Sequence, residues 1–383
     1  MAYPLAVAVP VDTVATVFTA DIHVGSGGSS SISNEKTSAD MMVSSSLPAH
    51  TGGCNEAAIT EYLTRAHFPT GLIEQAIISC RKFALRFFII DNSGSMMTND
   101  AHKLTTLGRG EANHENCTRW EELASTCRFQ FGLVLASGGH AVFKFLNGPT
   151  VELPRDGLSG VALIEIALSD GPRGGTPLCA RIGEVIAQIR AVEGTLRQNN
   201  KQACVIIMTD GESSDGDLTN AMRPLEQMPV WVVVRLSTDE EHVVGYWNEI
   251  DSELEIEMDV LDDIVSEAKE VYGKNPFLVY GEALHRLREF GFHRKEIDLL
   301  DEKELTLEQM DQLIRLLSGS QGSASLPRPT RDNIKSVYAP AVHRIFSSSS
   351  IPKVHNNLNK RASKWVDTAA LSRTYGKAAC TIA

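Results

Sequence analysis

Three short, continuous runs of apolar residues constrain the fold of this chain more than any other feature of its sequence. They are FALRFFII at 83–90, ACVIIM at 203–208 and PVWVVVRL at 229–236. Such runs leave no polar side to face water, which predicts central β-strands buried on both faces. Stretches of helical periodicity lie between them, at 119–136, 159–168 and 178–196. Strands alternating with helices predict an α/β fold with a doubly wound, mostly parallel sheet.

Two further segments complete the predicted sheet. The segment AVFKFLNGPTVEL at 141–153 has a turn sequence at its centre, which predicts a hairpin and one antiparallel strand at a sheet edge. The segment ELEIEMDV at 253–260 alternates polar and apolar residues, as an edge strand does. Residues 61–82 carry apolar residues at helical spacing with a break at Pro69, so we expect a helical lead-in before the first strand.

Composition divides the chain into four predicted regions. Residues 1–58 are rich in Ser and Gly and lack periodicity, which predicts a disordered arm. The sheet domain, with its helical lead-in, occupies 59–262, with its core at 83–262. Residues 263–317 have helical patterns and form a predicted annex that either packs on the sheet or stands apart. The composition of 318–383 shifts to Ser, Pro, Asn and basic residues, which predicts a second disordered region.

The charge balance argues against a general nucleic-acid binder, and this argument applies to residues 1–317 rather than to the basic C-terminal region. The chain has 36 basic and 48 acidic side chains, a net charge of −12, whereas phosphate contacts need clustered Lys and Arg. The balance is uneven, because residues 1–317 carry a net charge of −20 and residues 318–383 carry +8. Any contact with an anionic membrane surface is therefore expected at the C-terminal region.

Cysteine usage and the N-terminus favour a cytoplasmic protein. The seven cysteines include no C-x-x-C pair, which argues against a disulfide-stapled secreted module. No apolar run is long enough to span a bilayer. The apolar N-terminus has no Lys or Arg before Lys36 and is interrupted by Pro4, Pro10 and Asp12, unlike a signal peptide.

Polar side chains follow two of the buried strands at the point where each strand ends. The D-x-S-x-S sequence of Asp91, Ser93 and Ser95 comes directly after the first run, and Asp210 follows the second. Thr176 lies in a Gly-Gly-Thr-Pro sequence just before a helix. Ligands of open α/β sheets bind at the carboxyl ends of strands where the strand order reverses. If the two strands are neighbours there, their polar side chains converge at one edge.

This ordered set resembles the metal-ion-dependent adhesion site of von Willebrand factor type A domains, and the resemblance covers about residues 83–262. The family implies a Rossmann-like fold with Mg²⁺ or Mn²⁺ at the top of the sheet. By resemblance, Ser93 and Ser95 would be direct ligands, and Thr176 would bind directly or through water. Asp91 and Asp210 would act largely through bound waters.

The chemistry of such a site also follows from its residue types. Mg²⁺ takes six oxygen ligands and keeps several waters. Neutral hydroxyls next to the ion leave its charge uncancelled, so the ion attracts one more anionic oxygen. The site therefore suits the carboxylate of an Asp or Glu on a partner protein. We predict a protein-binding module, an intracellular scaffold or adaptor, rather than an enzyme.

Three alternatives remain open from the sequence. The motif residues could act only locally, with Asp91 capping a turn and Thr176 preceding a helix. The same ion could activate water for hydrolysis, for which Glu212 is the carboxylate that the sequence places near the motif. A secreted or surface adhesion protein is the third alternative, and it would require processing of the N-terminus.

The chain ends in Cys380-Thr381-Ile382-Ala383, which fits the C-a-a-X pattern of farnesylated proteins. Basic residues precede it, and a prenyl chain next to a basic segment can hold a protein at an anionic membrane. An unmodified cysteine at this position is the alternative. Cys380 is thus a candidate lipidation site that would place the protein at the cytoplasmic face of a membrane.

Overall fold

The structure, a computed structural model, describes residues 54–107 and 111–376. Its strands are, in chain order, β1 (Phe83–Ile90), β2 (Ala101–Leu107), β3 (Glu111–Cys117), β4 (His140–Phe145), β5 (Thr150–Leu153), β6 (Gln202–Thr209), β7 (Val230–Leu236), β8 (Met258–Leu261), β9 (Val354–Asn356) and β10 (Arg361–Ser363).

Helices connect and cover these strands. They are, in chain order, α1 (Glu56–Arg65), α2 (Thr70–Lys82), α3 (Arg119–Ser137), α4 (Gly157–Asp170), α5 (Leu178–Gln198), α6 (Leu218–Met222), α7 (Glu241–Glu253), α8 (Ile264–Lys274), α9 (Glu282–Glu289), α10 (Lys295–Asp298), α11 (Leu307–Ala324), α12 (Ala339–Phe346) and α13 (Thr368–Tyr375). Shorter turns of 3₁₀-helix lie at Gly94–Met97 and Arg223–Gln227, and a π-helical turn lies at Ile334–Tyr338.

The central sheet has six strands in the order β5-β4-β1-β6-β7-β8. Neighbouring strands from β4 to β8 run parallel, while β5 pairs antiparallel with β4 at one edge. The predicted mostly parallel α/β sheet with one antiparallel edge strand is confirmed. After β1 the chain continues to β4 on one side, and after β6 it continues to β7 on the other, so the strand order reverses between β1 and β6.

Alternate residues of the strands face two separate hydrophobic layers. Phe88 and Ile90 of β1 pack with α1 to α4 and with the C-terminal helices. Phe87 and Ile89 face the opposite side and pack with α5, α6 and α7. Both sides of the central strands are therefore covered, which explains why the sequence of β1 is apolar without alternation.

Two features of the strands differ from the sequence-based expectation. The predicted strand at 253–260 is shorter, because Glu253 still belongs to α7 and pairing with β7 begins at Met258. The antiparallel hairpin of β2 and β3 was not predicted at all. Its strand sequences, AHKLTTL and EANHENC, are mostly polar and give a weak strand signal.

The predicted helical annex packs on the sheet. The Nε atom of Arg86 in β1 donates to the carbonyl of Phe290 at 3.2 Å, and the Arg86 guanidinium lies 4.0 Å from the centroid of the Phe290 ring. Arg235 of β7 pairs with Glu289 of α9 at 3.1 Å. Leu287 is fully buried in the same hydrophobic cluster as β1. The annex and the sheet therefore share one core.

Most of the predicted C-terminal disordered region is folded, so that prediction was wrong. From 318 to 376 the chain forms the end of α11, the π-helical turn, α12, the β9–β10 hairpin and α13. Widely spaced apolar side chains anchor it, since Tyr338, Trp365 and Leu371 are at most 1% exposed. Composition averages over a segment, so the many Ser and Asn residues concealed these few buried positions.

The predicted N-terminal arm lies mostly outside the described residues, as does Cys380. Its expected boundary at residue 58 was slightly late, because α1 begins at Glu56 and the Asn55 side chain accepts a hydrogen bond from the Ala58 amide at 3.1 Å. Among the residues with described structure, no helix is both long and apolar enough to cross a membrane.

Candidate metal centre

The strands that carry the two acidic motifs are neighbours. β1 and β6 pair in parallel with Ile90 opposite Met208, so Asp91 and Asp210 leave adjacent strand ends. The amide of Asp91 donates to the carbonyl of Met208 at 2.9 Å, which holds the two loops together. The two strands are therefore neighbours, as convergence of the motifs requires. The strand order also reverses between them, which is where ligands of open α/β sheets bind.

Three of the predicted site residues form a continuous chain of oxygen atoms. The Ser93 and Ser95 hydroxyls lie 3.0 Å apart, and the Ser95 hydroxyl donates to Asp210 Oδ1 at 2.8 Å. The 3₁₀ turn at Gly94–Met97 follows Ser93 and positions the second hydroxyl beside the first. Ser93 and Asp210 are buried whereas Ser95 is exposed, so this chain of oxygens leads from the sheet to the surface.

Asp91 lies beneath this chain and supports the motif loop. Its carboxylate accepts the Ser93 amide at 2.8 Å and the Thr209 hydroxyl at 2.6 Å. Burial raises the pKa of Asp91, although the hydrogen bonds from Thr209 and Ser93 act in the opposite direction. Both oxygens of this fully buried carboxylate are thus used by the protein itself.

Thr176 lies on a loop that is pinned between the two motif loops. The amide of Gly94 donates to the carbonyl of Gly174 at 3.1 Å, which joins this loop to the D-x-S-x-S segment. The amide of Thr176 donates to the Ser214 hydroxyl at 3.0 Å, and its carbonyl accepts the Ser214 amide at 2.9 Å. These bonds involve the main chain of Thr176 and leave its hydroxyl available.

Gly174 is required by the path of this loop. Its φ is +79°, and a Cβ atom there would lie 2.6 Å from the Asn147 side-chain oxygen. The Asn147 side chain donates in turn to the carbonyl of Gly175 at 2.7 Å. A side chain at Gly174 would be strained and would displace Asn147, so the first glycine of the Gly-Gly pair before Thr176 has a structural cause.

Sequence reasoning missed Arg119, which contacts the site directly. Its Nη1 atom donates to Asp210 Oδ2 at 3.0 Å and its Nε atom donates to Asp100 Oδ1 at 2.8 Å. A third carboxylate, Glu240, pairs with Nη2. The hydrogen bond from Arg119 lowers the pKa of Asp100 and that of Glu240. The available signal was a basic residue at the first position of a helix, where the helix dipole disfavours it.

The loop after β6 contributes a second set of residues that the sequence did not indicate. The Asp215 carboxylate accepts the amides of Cys179 and Ala180 at 3.0 and 2.9 Å, at the N-terminus of α5. It also accepts the Ser213 hydroxyl at 2.6 Å. Burial opposes ionisation, but these hydrogen bonds lower the pKa of Asp215. No local pattern reveals a cap 35 residues from its helix.

The donor set fits a hard divalent cation. It consists of neutral hydroxyls and carboxylates, the ligands that suit Mg²⁺ and Mn²⁺. Within 54–107 and 111–376 there is no group of three or more His, Cys, Asp or Glu side chains that could hold a metal. A centre in the described region would thus depend on the hydroxyls of the motif together with its two aspartates.

Comparison with known proteins adds no assignment. No protein-family model matches this chain, and no curated protein is similar to it.

Proposed function

We propose that this chain is a metal-dependent protein-binding module with a von Willebrand factor type A-like architecture. It holds Mg²⁺ or Mn²⁺ at the carboxyl ends of β1 and β6 and captures an Asp or Glu carboxylate of a partner protein. The observation that carries this proposal is the unbroken contact of Ser93, Ser95 and Asp210 at the point where the strand order reverses.

In this proposal Ser93 and Ser95 are direct ligands through their hydroxyls. Thr176 supplies a third hydroxyl, directly or through water, from the loop pinned beside the motif. Asp210 orients the Ser95 hydroxyl at 2.8 Å, and buried Asp91 holds the backbone of Ser93. Both aspartates therefore suit indirect roles, with waters between them and the ion.

The ion would supply an electrophilic charge to the exposed end of the site. Hydroxyl ligands are neutral, so the charge on Mg²⁺ is not cancelled and draws an anionic oxygen. Ser95 and the neighbouring Gly94 are exposed, which leaves room for a partner side chain to approach. Glu212, the candidate base for hydrolysis, is also exposed, and its exposure gives no support to a catalytic role.

Direct titration with Mn²⁺ tests the metal site. We expect the full chain to bind one Mn²⁺ in calorimetry and to release it when EDTA is added. The double variant Ser93→Ala, Ser95→Ala should bind Mn²⁺ at least about tenfold more weakly. Ser252→Ala provides a matched control, because Ser252 is exposed on α7 far along the chain from the motif. Equal affinity of wild type and double variant would refute the site.

A capture experiment tests the binding function. Cross-linking in Mg²⁺ should recover partners that are lost both on addition of EDTA and in Ser93→Ala, while Ser252→Ala should recover them unchanged. Partners that survive both treatments would mean that binding does not use the metal. Substitution of an Asp or Glu in the captured partner then identifies the carboxylate.

A further inference from the structure

Arg119 occupies an unusual position at the candidate metal centre. Its side chain is only 4% exposed, and its guanidinium contacts the carboxylates of Asp100, Asp210 and Glu240. Asp210 is fully buried, whereas the side chains of Asp100 and Glu240 are 41% and 44% exposed. One buried cation is therefore shared between an inner carboxylate of the site and two outer carboxylates at its rim.

The two oxygens of Asp210 face different partners. Oδ1 accepts the Ser95 hydroxyl at 2.8 Å, on the side of the oxygen chain, and Oδ2 accepts Arg119 at 3.0 Å. A metal ion held by the hydroxyls would be attracted by the negative charge of this carboxylate. The guanidinium of Arg119 is attracted by the same charge. Two cations on opposite sides of one carboxylate repel each other, so each weakens the binding of the other.

We propose that Arg119 is a resident counter-cation that balances Asp210 and competes with the metal for its charge. This inference rests on the proposed function. Asp100 and Glu240 draw the guanidinium outward and so moderate the competition. Arg119 is thus a positioning residue that keeps metal affinity moderate and leaves the buried carboxylate paired when no metal is bound.

The first test removes the positive charge. Arg119→Gln should bind Mn²⁺ about 5- to 50-fold more tightly than wild type, because a nearby cation no longer opposes the ion. Arg119→Lys keeps the charge and should stay within about threefold of wild type. Saturating Mn²⁺ should also raise the melting temperature of Arg119→Gln more than that of wild type, because the metal then replaces the lost partner of Asp210.

The second test leaves Arg119 in place and changes an outer partner. Glu240→Gln should weaken Mn²⁺ binding about threefold or more, because Arg119 then gives more of its charge to Asp210. Glu241→Gln removes the same charge from the next residue, also exposed, and should change affinity less than about twofold. Both substitutions are at exposed positions, so the fold should be retained even if Arg119→Gln proves unstable.

The outcomes separate this inference from the proposed function. If Ser93→Ala, Ser95→Ala abolishes Mn²⁺ binding but Arg119→Gln binds no more tightly than wild type, the metal site stands and the role of Arg119 is wrong. Equal effects of Glu240→Gln and Glu241→Gln would also overturn that role. If wild type itself binds no Mn²⁺, both proposals fail.

Discussion

Asp262 illustrates how burial among like charges changes a single side chain. It is half-buried directly after β8. Burial raises its pKa to about 7, and the carboxylates of Glu270 and Asp263 act in the same direction. The folded protein thus holds this proton more tightly than the unfolded chain does. Its contribution therefore lowers the free energy of unfolding as pH rises from about 4 to about 7.

We expect Asp262→Asn to raise the free energy of unfolding at pH 8 by more than about 1 kcal/mol, because the amide carries no charge to bury. At pH 4 the two proteins should differ much less, since the carboxyl is protonated in the folded state. Urea denaturation at both pH values measures the difference. Asp332→Asn changes an exposed side chain and should follow wild type. An equal gain at both pH values would contradict the expectation.

Single residues of the candidate centre differed in how well the sequence revealed them. Asp91, Ser93 and Asp210 were found because they follow buried strands within a few residues. Arg119 was not, because its contact with Asp210 spans 91 positions of the chain. A local pattern shows which residues leave a strand end, but not which distant helix brings a counter-charge to them.

At the scale of elements, α2 and α11 cross with almost no space between their backbones. A Cβ atom added to Gly71 would lie 1.9 Å from the carbonyl oxygen of Leu316 and 2.8 Å from the amide of Gly319. Gly319 has a φ of +70°, and the helix is kinked there. The sequence predicted the break before α2, but nothing local to Gly71 identified its partner helix.

We expect Gly71→Ala to lower the free energy of unfolding by about 1–3 kcal/mol, because the backbones must move apart. Gly183→Ala is the matched control on α5, where an added Cβ meets no atom within 4 Å. That variant should be stabilised by about 0.5–1 kcal/mol through helix propensity. Chemical denaturation measures the free energy of unfolding of both variants. An unchanged value in Gly71→Ala would contradict the close contact between the two helices.

A buried ion pair network joins α9 to the edge of the sheet and to α8. Arg288 is 1% exposed and pairs with Asp259 of β8 at 3.1 Å and with Glu267 of α8. It also donates to the Tyr280 hydroxyl at 3.2 Å. Removing one partner of such a network leaves uncompensated buried charges.

Arg288→Met should therefore lower the free energy of unfolding at pH 7 by about 3–5 kcal/mol. The loss should shrink at pH 5, where the orphaned carboxylates can take up protons. Arg65→Met, at an exposed position whose partner Glu61 is also exposed, should change stability by less than about 0.5 kcal/mol. Urea titrations at the two pH values measure the free energy of unfolding of both variants. Equal losses in the two arginine variants would contradict the stabilising role of the buried ion pair network.

At the scale of the whole molecule, one hydrophobic cluster extends from α1 through the sheet to α13. Trp365 is 1% exposed, belongs to this cluster and donates to the carbonyl of Pro352 at 2.9 Å. The C-terminal segment and the sheet therefore stabilise each other. Composition left open whether the annex packs on the sheet and predicted a disordered end, because it does not record which faces share a core.

We expect Trp365→Ala to lower the stability of the entire protein by about 3–5 kcal/mol in a single transition. Near-ultraviolet circular dichroism and hydrogen exchange of β6 peptides should shift together. Leu358→Ala, at a side chain that is 37% exposed, should have little effect. If the exchange of β6 is unchanged in Trp365→Ala, the C-terminal segment folds independently.

The sequence by itself determined the central strands, the helices between them, the antiparallel edge hairpin and the positions of the site motifs. These features depend on local periodicity and on residues adjacent to strand ends, which a linear pattern records. Only the tertiary structure decided that β1 and β6 are neighbours, that Arg119 shares Asp210 with the oxygen chain, and that the C-terminal segment belongs to the core. These depend on contacts between residues far apart in the chain, where burial and charge pairing arise only once the faces meet.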